Sequence, residues 1–194
     1  MMIEKACRSR QILEERERLV PQAAGRTLEL GVGTGLNLPF YSAAVTEVIG
    51  VDPSAAILDR ARDRAAACRA PVTLVEAPAE SLPWPDGSFD SVVVTYTLCS
   101  VGDPVQALRE ARRVLRPDGR LFFVEHGLAR ATTTRAWQHL ATPAWKRIAG
   151  NCHLDRDIPD VLYKAGFDTI ELRETPAEGL SWTGYTYEGI AIPG

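Results

Sequence analysis

The stretch RTLELGVGTGLNLPFYSAAVTEVIGVDPS, residues 26–54, decides the fold. RTLELG (26–31) reads as a short buried strand and TEVIGVD (46–52) as a second, with a glycine loop and a short helix over 37–44 between them. Strand, glycine loop, helix and strand in that order make a βαβ unit.

The same alternation continues outward. Ser54 is placed to cap a helix over 55–68, where Ile57, Leu58, Ala61, Ala65 and Cys68 recur at helical spacing, and PVTLVEA (71–77) supplies a third strand. SLPWPDGSFD (81–90) is rich in turn formers, and SVVVTYTLCSV (91–101) is a β-branched run suited to a central strand. Asp103 and Pro104 open a helix with Val105, Leu108, Ala111, Val114 and Leu115 on one face, and RPDG (116–119) turns the chain into strand RLFFVEH (120–126). Residues 133–149 look helical with an interruption at Pro143, and 157–165 form a further helix ended by Gly166. FDTIELRE (167–174) and YTYEGIAI (185–192) look like terminal strands. The expected architecture is α/β: one Rossmann-like, doubly wound domain with a mostly parallel sheet and an antiparallel C-terminal strand. Residues 3–20 read as an amphipathic helix with Ala6, Leu13 and Val20 on a stripe beside Ile12 and Leu19. It packs on the body or, alternatively, forms a lid.

Composition narrows the function. The 194 residues carry 22 Lys+Arg against 25 Asp+Glu, and 45% are hydrophobic, which suits one globular domain without the basic footprint of a nucleic-acid binder. Cys7, Cys68, Cys99 and Cys152 are far apart and form no CxxC, which argues against a disulfide framework or a structural zinc site, so no metal is expected. The chain lacks an apolar run of membrane-spanning length, and its first twenty residues lack the apolar core of a signal peptide. A cytoplasmic protein, monomeric or homodimeric, is the expectation.

Glu29, Gly31, Gly33 and Gly35 lie in ELGVGTG, an ExGxGxG loop between the first strand and the following helix. Glycines there permit a sharp turn and the close approach of a ligand, and the helix start offers free N–H groups to an anion. Asp52 ends the second strand 21 residues after Gly31, near the spacing at which a carboxylate takes ribose hydroxyls. The dinucleotide fingerprint is GxGxxG, and Leu36 stands where its third glycine would be, which disfavours NAD.

Four segments in order, LELGVGTG, GVDPS, AESLPWPDGSFD and RVLRPDGRLFFVEH, together resemble the class I S-adenosylmethionine-dependent methyltransferases over residues 26–127. More distantly, TLCSV, WQHLATPAWKRIAGNCHLDRD and TYEGIA are similar to small bacterial methyltransferases and animal alkyl-thiol methyltransferases; ubiquinone and phospholipid methyltransferases share the same core. The resemblance implies S-adenosylmethionine as cofactor and S-adenosylhomocysteine as product. It implies an N-terminal helix or lid over 1–20, a cofactor-binding core over 26–127 and a substrate side over 128–194. Glu29, Gly31, Gly33 and Gly35 inherit contact with the methionyl part, Asp52 the ribose hydroxyls, Pro53 a place beside the adenine, and Ala79 and Glu80 the adenine edge. Pro78 stands where the family often has Asp or Ser. Asp86, Phe89 and Asp90 match the family's turn before the fourth strand and are assigned to structure.

Thr95 and Tyr96 lie at the carboxyl end of the fourth strand, as cofactor or substrate contacts or simply as the strand's end. A sulfonium methyl is already activated, so transfer needs orientation and exclusion of water rather than a protein nucleophile or a metal. The expected acceptor is small and apolar, a thiol first, with a phenol, quinol or lipid amine behind it. His126 and His153 are candidate general bases, a structural hydrogen bond being the alternative for each, and His139 is read as inert. Cys99 reads as a small buried thiol. Trp137, Trp145, Trp182 and Tyr185 either pack core or line an apolar acceptor pocket. Two further readings are an NAD-dependent oxidoreductase and a non-catalytic cofactor-binding module.

Overall fold

The computed structural model describes residues 9–176 and 184–194. Its elements are α1 (Arg10–Leu19), β1 (Gly25–Leu30), β2 (Val45–Asp52), α2 (Ala55–Ala66), β3 (Val72–Glu76), β4 (Phe89–Thr95), α3 (Pro104–Val114), β5 (Leu115–Gly127), α4 (Thr132–Ile148), α5 (Ile158–Lys164), β6 (Phe167–Pro176) and β7 (Tyr185–Pro193). Among the described residues the strands form one seven-stranded sheet in the order β3-β2-β1-β4-β5-β7-β6. The first five are mutually parallel, and β7 runs antiparallel to both β5 and β6.

Period-two alternation along the central strands divides the core between the two faces. Val92 and Val94 of β4, with Leu121 and Phe123 of β5, join the cluster under α3 and α5 that includes Leu108, Ala111, Val114, Ile158 and Leu162. Val93, Phe122 and Val124 face the other way, toward Leu19 and Val20 near α1 and Leu58 of α2. Both faces are therefore covered, and the β-branched run reads as continuously apolar because every residue is buried.

Several expectations change. The 37–44 helix is a single 3-10 turn over Leu38–Phe40. Within the run 91–101 the fourth strand ends at Thr95, as expected, because Tyr96 adopts φ +53°, a left-handed conformation rare for a bulky side chain, and turns the chain out of the sheet. RPDG is not a free turn: Leu115 already pairs with Phe89, and the next pair is Ser91 with Arg120, so residues 116–119 bulge within β5. Ser54 precedes α2 but makes no side-chain cap bond. Helix α4 runs through Pro143, and His139, whose carbonyl the proline cannot serve, is exposed to solvent, as is Pro143 itself. Helix α1 and the residue after it bury Leu19 and Val20 as the predicted apolar stripe requires, and two charged residues, Glu15 and Arg16, are buried with them. Ala6 and Cys7 lie outside the described residues.

Candidate active site

The strand order reverses between β1 and β4, and an open parallel sheet has its ligand crevice outside the carboxyl ends of the strands at such a point. The loop after β1 and the turn after β4 meet there. Gly31 has φ +67°, and a Cβ on it would stand 2.3 Å from Thr97 Oγ1 and 2.5 Å from Thr97 Cγ2. Gly35, at φ +79°, faces Leu38 Cδ1 at 2.8 Å. These two glycines are required by the protein's own packing. Gly33 differs: at φ +55° its nearest neighbour in the Cβ direction is the Gly31 carbonyl at 3.8 Å, so open space lies on that side. A ligand approaching the loop backbone would find its room at Gly33.

Asp52 closes the loop from the β2 side. Its Oδ1 accepts the Ser54 N–H at 2.9 Å, and the Gly33 N–H also donates to it. Burial raises its pKa, and these two N–H donors partly offset the rise. The carboxylate thereby ties β2 to the glycine of this loop that has an open approach. Pro53 next to it is exposed, whereas Ala79 is buried and Glu80 half-buried. Glu80 Oε1 accepts the Asp103 N–H at 3.2 Å, and its carbonyl accepts from Gln106 Nε2 at 3.4 Å, so Glu80 holds the start of α3.

Glu29 and Thr95 lie beneath the loop, in a polar network that the sequence did not reveal. Glu29 Oε1 accepts from Asn37 Nδ2 at 3.0 Å and Oε2 from Tyr41 OH at 2.8 Å. Asn37 Nδ2 also reaches Thr95 Oγ1 at 3.0 Å, and Arg16 of α1 donates to Thr95 Oγ1 at 3.0 Å and to Asn37 Oδ1. Tyr96 OH donates to Glu15, and the Arg16 guanidinium lies over the Tyr96 ring. Helix α1 thus anchors the carboxyl edge of β4 with two buried charged side chains. Full burial drives the Glu29 pKa up to about 7, against the opposing influence of Tyr41, Arg16 and Asn37.

That shift has a measurable consequence. A pKa raised from 4.5 in the unfolded chain to about 7 in the fold means that the folded state binds the proton more tightly. The contribution to stability is present below about pH 4.5 and is lost as pH rises through about 7, a change on the order of 3 kcal/mol. Glu29→Gln removes the titration. Chemical denaturation at pH 5 and pH 8 should show the variant gaining on the wild type at the higher pH, and a pH-independent difference between the two would contradict the assignment.

On the other side of the crevice, His126 at the end of β5 places Nε2 2.8 Å from Cys152 Sγ, in the loop after α4. Burial works against a charged His126 ring, but the Cys152 pairing outweighs it and raises the pKa. Hydrogen bonds from Cys99 and then His126 lower the Cys152 thiol, against the cost of its burial. His153 is half-buried, its Nδ1 3.7 Å from Asp155 Oδ1, and burial with nearby Arg156 and Lys146 lowers its pKa. His139 is exposed on α4, 3.1 Å from Asp155 Oδ2. Trp137 is 63% exposed, Trp145 is half-buried, Tyr185 packs against the core, and Trp182 lies outside the described residues.

The chain matches the methyltransferase domain family over residues 28–123. It is 39% identical over 160 residues to the human thiol S-methyltransferase TMT1B, across 80% of this chain and 64% of that protein. The chain belongs to the class I S-adenosylmethionine-dependent methyltransferases. As a member of that family it is also 41% identical over 104 residues to the phosphatidylethanolamine N-methyltransferase of Cereibacter sphaeroides, across 53% of this chain and 51% of that one. A solved S-adenosylmethionine-dependent methyltransferase from Methanosarcina mazei shares the fold, with a TM-score of 0.69 at 23% identity over 89% of this chain and 93% of that one. The matched region spans a little under two thirds of the length of the thiol S-methyltransferases. Membership sets aside the NAD reading. The family's cofactor, S-adenosylmethionine, fits the open approach at Gly33 beside the Asp52 carboxylate. No helix among the described residues is long and apolar enough to cross a membrane.

Proposed function

We propose that this methyltransferase moves a methyl group from S-adenosylmethionine to a small thiol. The observation that carries the reading is the open space at Gly33 beside Asp52, at the strand-order reversal of a methyltransferase sheet. The bound cofactor supplies a sulfonium methyl that is already electrophilic. Gly33 admits the methionyl side to the backbone, Asp52 accepts the ribose hydroxyls, and Pro53 and Ala79 flank the adenine. Gly31 and Gly35 let the loop turn, while Glu29, Thr95 and Glu80 hold the loop and its surroundings from behind. His126 and His153 stand on the acceptor side, at the carboxyl edge of β5 and the loop beside it. Burial there excludes water and keeps the acceptor's attacking atom in line with the methyl group.

The thiol is favoured by likeness to thiol S-methyltransferases across 80% of this chain, against 53% for the phosphatidylethanolamine enzyme. A thiolate is also a stronger nucleophile toward an electrophilic methyl group than a phenolate or a neutral amine. The test is mass-spectrometric rate comparison with alkyl thiols, phenols, quinols and phosphatidylethanolamine at equal concentration. Methyl thioether should form at least tenfold faster than any other product. A lipid amine or quinol methylated faster than every thiol would replace the thiol with that class.

A further inference from the structure

Cys99, His126 and Cys152 come from three separate stretches of chain: the turn after β4, the end of β5 and the loop after α4. Their ligand atoms nevertheless all lie within 4.8 Å of one another. The surroundings fix this arrangement. Arg156 donates to the Leu98 carbonyl and, at 2.7 Å, to that of Val101. The His153 N–H reaches the Cys99 carbonyl at 2.7 Å, and Asn151 Nδ2 reaches that of Ser100 at 2.8 Å. From below, Glu125 Oε1 accepts the N–H groups of Thr97 and Leu98 at 2.6 and 2.9 Å. The loop that carries Cys152 is therefore bound to the turn that carries Cys99, with His126 between them. The His126 Nδ1 is buried without a hydrogen-bond partner, so the ring's orientation is not explained by hydrogen bonding on both sides.

We infer that Cys99, His126 and Cys152 hold a thiophilic metal ion, with zinc as the ion the donor set suits. Two sulfurs and an imidazole, with no carboxylate among them, select zinc or copper(I) over magnesium or calcium. Binding of Zn²⁺ releases two protons, one from Cys99 and one from the Cys152–His126 pair, and transfers no electrons. The two thiolates then neutralise the ion's charge, which favours a buried site. Tetrahedral zinc with Zn–S of about 2.3 Å and Zn–N of about 2.0 Å holds its ligand atoms about 3.6 Å apart. The 2.8 Å contact between His126 and Cys152 must therefore open by less than about 1 Å. No fourth His, Cys, Asp or Glu joins the group among the described residues. Three protein donors leave one position for an exchangeable ligand, the pattern of zinc sites that do chemistry. The site stands whether or not the methyl acceptor is a thiol.

The experiment titrates Co²⁺ into the fully reduced, metal-stripped protein and follows its visible absorption. One equivalent should give the intense bands of tetrahedral cobalt together with thiolate-to-cobalt charge transfer, and Zn²⁺ should abolish both. Cys152→Ser and Cys99→Ser should each weaken binding by more than roughly 100-fold and remove about half of the charge-transfer intensity. Because Cys99 is buried and its variant could misfold, zinc should also slow alkylation of Cys152 in the wild-type protein. Reduced wild type that shows no charge transfer, or cobalt uptake retained by the Cys99→Ser/Cys152→Ser double variant, would overturn the inference.

Discussion

Asp52→Ala lowers affinity for S-adenosylmethionine and S-adenosylhomocysteine by about 10- to 100-fold. Asp52 ends β2 at the crevice, where its carboxylate already accepts the Ser54 and Gly33 N–H groups. A carboxylate has about four lone-pair directions, so acceptor capacity remains for two ribose hydroxyls. Hydrogen bonds to a charged group are worth about 1.5–3 kcal/mol, which is the stated range in affinity. Alanine also releases Gly33 from β2, so the loss falls on both ribose contact and loop position. Calorimetric titration with S-adenosylhomocysteine checks this, and an affinity equal to that of the wild type would remove Asp52 from the cofactor site.

The second large effect concerns stability. Gly31→Ala places a methyl group 2.3 Å from Thr97 Oγ1, at a φ of +67°. Thr97 cannot easily swing aside, because its hydroxyl is bonded to the Leu30 carbonyl at 3.2 Å and the Thr95 carbonyl at 3.1 Å. A left-handed alanine costs about 1–2 kcal/mol and overpacking about 1–3 kcal/mol, together about 2–5 kcal/mol. For a chain of this size that is a fall in Tm of roughly 10 °C. Thr97→Ala added to Gly31→Ala should restore part of it. A melting temperature within a degree or two of the wild type would show that the loop's first glycine is not held by Thr97.

The strands and the crevice were legible in the sequence because they depend on local pattern. The unbroken apolar runs VVV and LFFV mark the strands that bury both faces, and the glycine loop with Asp52 marks the edge where they end. What depends on long-range meeting was not legible. Cys99, His126 and Cys152 have no motif spacing, since each waits for a different element to deliver it. Glu15 and Arg16 look like solvent-facing charges of an amphipathic helix, and only Tyr96, Asn37 and Thr95 across the crevice explain their burial. Gln138 is similar: a polar residue in α4, fully buried because it bonds the Gly127 and Leu154 carbonyls at 3.2 and 2.9 Å. The end of β4 at Thr95 matches the sequence reading, but a β-branched run gives no sign of the left-handed Tyr96 that stops it. Glycine identity also conceals two different roles: Gly31 and Gly35 yield to the protein's own side chains, whereas Gly33 leaves room for a ligand.

The most direct test is a single incubation of the purified protein with S-adenosylmethionine and a small alkyl thiol, with S-adenosylhomocysteine and the methyl thioether both quantified by mass spectrometry. The account predicts the two products in equal amounts, with neither formed when thiol is omitted and both reduced in Asp52→Ala. Absence of both products across alkyl thiols, in samples that bind S-adenosylhomocysteine, would contradict methyl transfer to a thiol at this site.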